Sequence, residues 1–366
     1  MRLQGYATRE GTNRYKSRFE GKLPSHFRLA GDIWISSVGL GTYLGNPDAE
    51  TDRQYCETAV RALELGFNVF DTAINYRHQR SEVSLGKALQ MAISSGILQR
   101  DEVIVATKGG FLSFDGSVPS DPQRFFHETF LATDLLQPGE IVSGCHSIAP
   151  RFLASQIERS LENLQLETLD IYYVHNPETQ LQEIDKEELY RRLRAAFEKL
   201  EELACEGKIR IYGVATWTAF RVAADAQEAI SLPHLVELAR EVGGSDHHFR
   251  AIQLPLNLRM PEAILAKTQW LNGNRISLLN AAQESGLMTF ASASLLQGQL
   301  SRSLPPKTQE WFSGLRTDAQ RAIQFTRSAP GVSCALVGMS KIEHLEENLG
   351  AVQISPLNRD EMGKLF

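Results

Sequence analysis

The sequence predicts a closed parallel barrel of eight strand–helix units, and three observations point to it. Short apolar runs alternate with segments of helical period, eight pairings in all; three of the runs end in ionisable groups; and the chain, 366 residues with 42% hydrophobic and 22% charged, has the bulk for one large core. The ionisable groups are Asp71, which closes NVFD and has Tyr76 five residues beyond it, Lys108, which closes VIVATK, and His175, which closes LDIYYVH. Side chains from three strand ends meet in space when the strands lie parallel with their C-terminal ends on one side, which is how such a barrel builds a catalytic site. One barrel domain is expected over residues 27–366, preceded by an arm over 1–26.

In chain order, FRLAGDIWISS (27–37) reads as two extended segments around Gly31, an N-terminal β-hairpin placed to plug the barrel bottom. The barrel strands are expected at 36–42, 68–73, 102–108, 169–175, 209–216, 250–256, 287–292 and 334–339. Between them run buried stripes of helical spacing: Tyr55, Ala59, Ala62 and Leu63, stopped at Gly66; Leu153, Ile157, Leu161 and Leu164; Leu189, Leu193, Ala196, Leu200 and Leu203, stopped at Gly207. Ser340 and Glu343 have the spacing of a capping box for a last helix that runs to Gly350. Two stretches exceed the repeat: 109–150, rich in Pro, Gly and Ser, and 227–250, read as carrying an extra helix. Both are expected as long loops on the catalytic face.

Composition excludes several classes of function. A net charge of −6 argues against nucleic acid and anionic membrane, and the one basic stretch, TREGTNRYKSRFEGK, is interrupted by acids. Residues 1–26 are polar and lack the amphipathic period of a docking helix. Cys56, Cys145, Cys205 and Cys334 form no C-x-x-C pair, so neither a metal site nor a disulfide framework is expected. No apolar run is long enough for a signal peptide or a spanning helix, and the expected compartment is the cytoplasm.

Seven stretches then fall in a known order: GLGT (39–42), FDTAINY (70–76), the strand ending in Lys108, LDIYYVHNPE (169–178), GKIRIYGVAT (207–216), the strand bearing Gln253, and LVGMSKIEHLEENLGA (336–351). On these the chain, from about Phe27 to Leu349, resembles the aldo-keto reductases. The resemblance implies a (β/α)8 barrel that binds a nicotinamide cofactor, NADPH with NADH as the alternative, extended across the C-terminal mouth. No G-x-G-x-x-G follows a strand, in keeping with that mode of binding. It also implies a small-molecule carbonyl substrate, an aldehyde or ketone reduced to an alcohol; nothing in the sequence sets a monomer or a homo-oligomer.

Within that resemblance the chemistry assigns four roles. Hydride arriving at a carbonyl carbon leaves charge on the oxygen, so a proton must follow, and Tyr76 is the expected donor. The Lys108 ammonium is expected to lower the phenol's pKa, Asp71 to keep that lysine charged, and His175 to orient the carbonyl and stabilise the alkoxide. Taken singly, Tyr76 reads equally as a rim tyrosine, Lys108 as a solvated lysine, Asp71 as a turn cap and His175 as a structural histidine; only their coincidence carries the catalytic reading.

Cofactor contacts implied by the resemblance are Gly41 and Thr42 near the nicotinamide ribose with Asp71, Gln253 with Asn176 and Thr216 at the carboxamide, and Ser294, Leu295, Gln297, Gly298 and Leu300 around the pyrophosphate. Gly338, Ser340, Lys341, Glu347 and Asn348 are implied at the adenosine end, where a helix N-terminus suits an anion. Departures from the family pattern stand out. Ala215-Thr216 replaces Ser-Asn, Ser292 replaces an aromatic that stacks on nicotinamide, with Trp217 or Phe290 as substitutes, Ser340 replaces a basic residue, and Arg77 replaces a glycine. Arg77 and Arg80 are read either as binders of an anionic substrate or as partners of Glu82. Trp34, Trp217, Trp311, Phe111 and Phe114 are candidates for the pocket wall. Two other functions fit the same residues: a cofactor-binding regulatory subunit with little turnover, and a Schiff-base enzyme at Lys108, which Asp71 disfavours by holding the amine charged.

Overall fold

The computed structural model describes residues 2–366. Strands β1 (Phe27–Ala30) and β2 (Ile33–Ser36) form the antiparallel hairpin. The barrel is made of β3 (Val38–Gly41), β4 (Val69–Asp71), β5 (Ile104–Gly109), β6 (Leu169–His175), β7 (Ile209–Ala215) and β8 (Phe249–Pro255). A second hairpin, β9 (Gln269–Leu271) and β10 (Asn274–Ile276), precedes the last barrel strands, β11 (Met288–Ser292) and β12 (Cys334–Gly338). The eight close in the order β11-β12-β3-β4-β5-β6-β7-β8, each pair parallel, so every C-terminal end opens on one mouth.

The helices are α1 (Arg9–Ser17), α2 (Ala49–Glu64), α3 (Arg80–Ser94), α4 (Pro122–Phe126), α5 (Pro150–Leu164), α6 (Lys186–Cys205), α7 (Leu232–Gly243), α8 (Glu262–Leu265), α9 (Leu278–Glu284), α10 (Lys307–Trp311), α11 (Asp318–Ser328), α12 (Ile342–Val352) and α13 (Arg359–Gly363). None of the described helices is long and apolar enough to cross a membrane.

Alternation along each strand splits the core in two. On β5, Val105 faces the helices, whereas Ile104 and Ala106 face the barrel interior. Ile171, Tyr173, Ala251, Phe290 and Leu336 fill that interior, and Ala30, Ile33 and Ile35 of the hairpin seal its foot. At Gly213, β7 passes so close to β8 that a Cβ would lie 1.7 Å from the Ala251 carbonyl oxygen, so only glycine fits there.

Two expectations change at this level, the cap of α12 and the helix within 227–250, and two segments, the arm and 109–150, are more ordered than the sequence signals. The arm is not featureless: α1 buries Gly11, Thr12 and Tyr15, and the Tyr15 hydroxyl donates to the Leu63 carbonyl at 2.5 Å. A stripe of Gly, Thr and Tyr carries no apolar period, which is why it is invisible to pattern reading. Ser340 does not cap α12; the cap position is Lys341, with no side-chain hydrogen bond. The helix within 227–250 is not extra, because α7 is the β7–β8 crossover itself. The 109–150 segment is a true insertion that packs a small core of its own around Phe130, Leu136, Ala149 and Phe152.

The foot holds Arg327, fully buried. Its Nε donates to Ser37 Oγ at 2.9 Å, and Nη1 donates to Gln324 Oε1 (3.0 Å) and to the carbonyls of Ala351 and Ile354 (both 2.9 Å). Burial, with Arg28 nearby, brings its pKa down to about 9.

Candidate active site

Strand ends β4, β5 and β6 bring three of the four residues to the mouth, and the turn after β4 brings the fourth. Lys108 Nζ donates to Asp71 Oδ2 at 2.6 Å and to the Thr72 carbonyl at 2.7 Å, with the lysine wholly buried. Gln253 Nε2 donates to the other Asp71 oxygen at 2.7 Å, so both carboxylate oxygens are engaged. The ammonium lies 4.9 Å from the centroid of the Tyr76 ring, and that ring meets the His175 imidazole edge-on with centroids 5.9 Å apart. Phe111 backs the imidazole at 5.1 Å, and Tyr43 meets Tyr76 edge-on at 5.0 Å.

Electrostatics correct one expectation. The Tyr76 pKa is not lowered: burial, then the Asp71 carboxylate, then Tyr43 push it well above 10, so the phenol carries its proton at neutral pH. Burial also lowers the Lys108 pKa, opposed first by Asp71 and further by Glu82. His175 is held neutral by burial, by Lys108 and by His146. Glu82, buried behind the site, accepts from Thr107 Oγ1 at 2.6 Å and Asn163 Nδ2 at 2.8 Å, and burial raises its pKa. Arg77 and Arg80 both pair with Asp52 rather than Glu82 or the pocket, at 2.5 Å each.

A residue that sequence reasoning missed holds the His175 backbone. His146 Nε2 lies 2.7 Å from the His175 carbonyl oxygen, which can only accept. Gln180 Nε2 donates to His146 Nδ1 at 2.9 Å, and its amide is oriented by Arg192 Nη1, which donates to Gln180 Oε1 at 2.7 Å. His146 is therefore the neutral Nε2–H tautomer, and burial lowers its pKa to about 4. Nothing periodic in the 109–150 insertion signals it.

The mouth opens into a cleft of about 730 Å³. Asp71, Tyr76 and His175 line it, as do Gly41, Thr42, Asn176, Thr216, Gln253, Ser294, Leu295, Gln297, Gly298, Gly338, Ser340, Glu347 and Asn348. Leu300 and Lys341 do not: Leu300 is buried and Lys341 points to solvent. Of the aromatic candidates, Phe111 and Trp217 reach the cleft; Trp34, Trp311 and Phe114 do not. Phe290 lies inside the barrel against Tyr173, which leaves Trp217 as the ring available in place of Ser292. Backbone N–H groups of Trp217 and Thr218 donate to Glu178 Oε1 at 2.6 and 2.9 Å, fixing that loop. Tyr43, Asn75, Arg302 and His344 are among the lining residues not foreseen. Tyr43 directly follows the predicted Thr42 and was within reach of the strand-end rule, whereas Arg302 follows a short irregular turn and His344 lies in the first turn of α12, positions that no strand end signals.

Buried atoms Asn75 Oδ1, Thr216 Oγ1 and Asn348 Oδ1 face this cleft with no partner in the protein. Buried polar atoms without partners call for a ligand or water, and their spread over three separate walls fits a long polar molecule such as a dinucleotide. Among the described residues no cluster is suited to a metal ion.

Known proteins agree with this architecture. A "Uncharacterized oxidoreductase YqkF" of Bacillus subtilis is 25% identical over 91% of this chain and 92% of its own length. The NADH-specific methylglyoxal reductase of Escherichia coli is 30% identical over 50% of this chain and 49% of its own. An aldo/keto reductase from Klebsiella pneumoniae, solved in complex with NADP and acetate, superposes with a TM-score of 0.62 at 20% identity, covering 93% and 94% of the two chains. The model of the Aldo/keto reductase family matches residues 37–236, more than half the chain. The chain belongs to the aldo/keto reductase family.

Proposed function

We propose that this oxidoreductase reduces uncharged aldehydes or ketones to alcohols with NADPH. The observation that carries the reading is the buried Lys108–Asp71 pair beneath a protonated phenol, with a neutral imidazole opposite and a cleft open above them. When bound, the cofactor supplies the hydride. The protein supplies the rest. Tyr76 offers its proton to the substrate oxygen, and because burial keeps the phenol protonated, reduction is ready at neutral pH without prior activation. As the proton leaves, the Lys108 ammonium, held by Asp71, stabilises the phenolate that forms. His175 hydrogen-bonds the carbonyl oxygen and fixes its direction.

Gln253, Asn176, Thr216 and Asn348 support the nicotinamide and adenosine ends of the cofactor, and Arg302 and His344 are the basic side chains of the cleft lining that suit the extra phosphate of NADPH. For the substrate, Tyr43, Phe111 and Trp217 offer flat apolar surface, while Arg77 and Arg80 are spent on Asp52, which disfavours phosphorylated or carboxylated substrates.

The test is titration with NADPH and NADH by fluorescence quenching, followed by loss of cofactor absorbance with a panel of neutral and anionic carbonyls. Tyr76→Phe should lower kcat by roughly 10²–10⁴-fold and leave cofactor affinity nearly intact. Undiminished turnover in that variant would reject the role of Tyr76, and tight NADPH binding without turnover on any carbonyl would reject the reductase reading.

A further inference from the structure

Directly after Tyr76, three successive residues other than glycine lie in the left-handed region: Arg77 at φ +50°, His78 at +56° and Gln79 at +71°. Side chains disfavour that conformation, and it persists only where surrounding contacts over-determine it. For Arg77 those contacts come from the loop between β3 and α2 and from the first turns of α2. Its side chain is 1% exposed. Nε donates to the Asn46 carbonyl at 2.8 Å, and Nη2 donates to the Asp48 carbonyl at 3.3 Å and to Asp52 Oδ1 at 2.5 Å. The guanidinium carbon lies 5.4 Å from the centroid of Tyr55, whose hydroxyl donates to the Leu44 carbonyl at 2.7 Å. One arginine thus fastens the loop between β3 and α2 at Asn46 and Asp48, and Tyr55 fastens it at Leu44. That loop carries Tyr43 and Leu44 into the cleft wall, with Tyr43 against the ring of Tyr76.

We propose that Arg77 is a positioning residue that clamps residues 43–48 and so holds Tyr43 against Tyr76 as the substrate-facing wall. The role rests on the reductase reading for its kinetic consequence but not for its structural one. Thr42 is held separately, since its N–H and Oγ1 both reach the Asp71 carbonyl at 3.1 and 3.2 Å and its own carbonyl accepts from Ser81 Oγ at 2.8 Å. The clamp therefore governs the wall beyond Thr42 and not the cofactor contact at Thr42. A planar fork suits the task, because two separate nitrogens, Nε at Asn46 and Nη2 at Asp48 and Asp52, act at once, and the single nitrogen of a lysine cannot occupy both positions.

Glycine accepts φ +50° freely, so Arg77→Gly removes the clamp without adding backbone strain. In that variant, amide hydrogen exchange over 43–48 should speed up by about tenfold or more. KM for the carbonyl should rise about tenfold, with kcat within about threefold of the parent and NADPH affinity unchanged. Arg77→Lys, which keeps the charge and loses the fork, should resemble Arg77→Gly. Exchange over 43–48 equal to the parent in Arg77→Gly overturns the clamp, and so does a parent-like Arg77→Lys. Faster exchange with an unchanged KM overturns the positioning role. Should the parent itself reduce no carbonyl while the loop still loosens in Arg77→Gly, the clamp stands and the reductase reading falls.

Discussion

Each end of the barrel buries a cation, and the two ends solve that problem in opposite ways. At the mouth, Lys108 is matched by one carboxylate, Asp71, at 2.6 Å, beside an open cleft. At the foot, Arg327 has no carboxylate; a serine hydroxyl, an amide and backbone carbonyls from several segments satisfy it. Charge on charge leaves the mouth sensitive to any third charge that develops nearby, which is what a reacting oxygen provides. Dipoles on charge spread the load over many partners, and their removal costs structure rather than chemistry.

The largest test of this contrast is Lys108→Met, which should reduce kcat by roughly 10²–10⁴-fold. Its stability loss should be relieved by adding Asp71→Asn, which removes the stranded carboxylate, while turnover stays lost. Steady-state rates and urea midpoints read both, and retained turnover in the single variant would end the proposed role. Next comes Arg327→Met, which should cost about 4 kcal/mol of stability by orphaning buried carbonyls, with kcat per folded molecule unchanged. A kcat that fell with stability intact would erase the distinction between the two ends.

The smallest effect is titration. His146 at the mouth has a folded pKa of about 4, below the ordinary 6.5, so the unfolded chain takes up the proton first. Its contribution is complete above pH 6.5 and is lost as the pH falls, by about 3 kcal/mol at pH 4. His26, buried at the foot with Ser37 Oγ and the Gly66 carbonyl each 3.1 Å from a ring nitrogen, shifts in the same direction through burial and Arg327. Urea midpoints measured from pH 7 to 4 should therefore decline; a flat profile would mean that these imidazoles are not held neutral.

The barrel strands were legible because Val, Ile and Tyr runs punctuated by glycine leave few other readings, and the four mouth residues because strand ends share one side. What escaped depended on partners distant in sequence. Arg77 finds Asp52, 25 residues upstream, and His146 finds the His175 backbone 29 residues on. The arm escaped because its buried face is made of small and polar residues, with Ala7 N–H donating to Asp170 Oδ1 at 2.6 Å, 163 residues away. The expected lowering of the Tyr76 pKa failed for a related reason. Motifs name the lysine, but desolvation and the Asp71 charge set the balance, and both are properties of the packed site.

Closure of the barrel joins β12 to β3, with Ala335 beside Val38. During synthesis, then, the ribosome has to release all the other barrel strands before the first one can find its second neighbour. Asp71, Tyr76, Lys108 and His175 emerge early, while the wall that bears Ser294, Ser340 and Asn348 arrives last. A nascent chain halted before residue 334 would expose unpaired edges on β3 and β11, which makes it a natural client for chaperones.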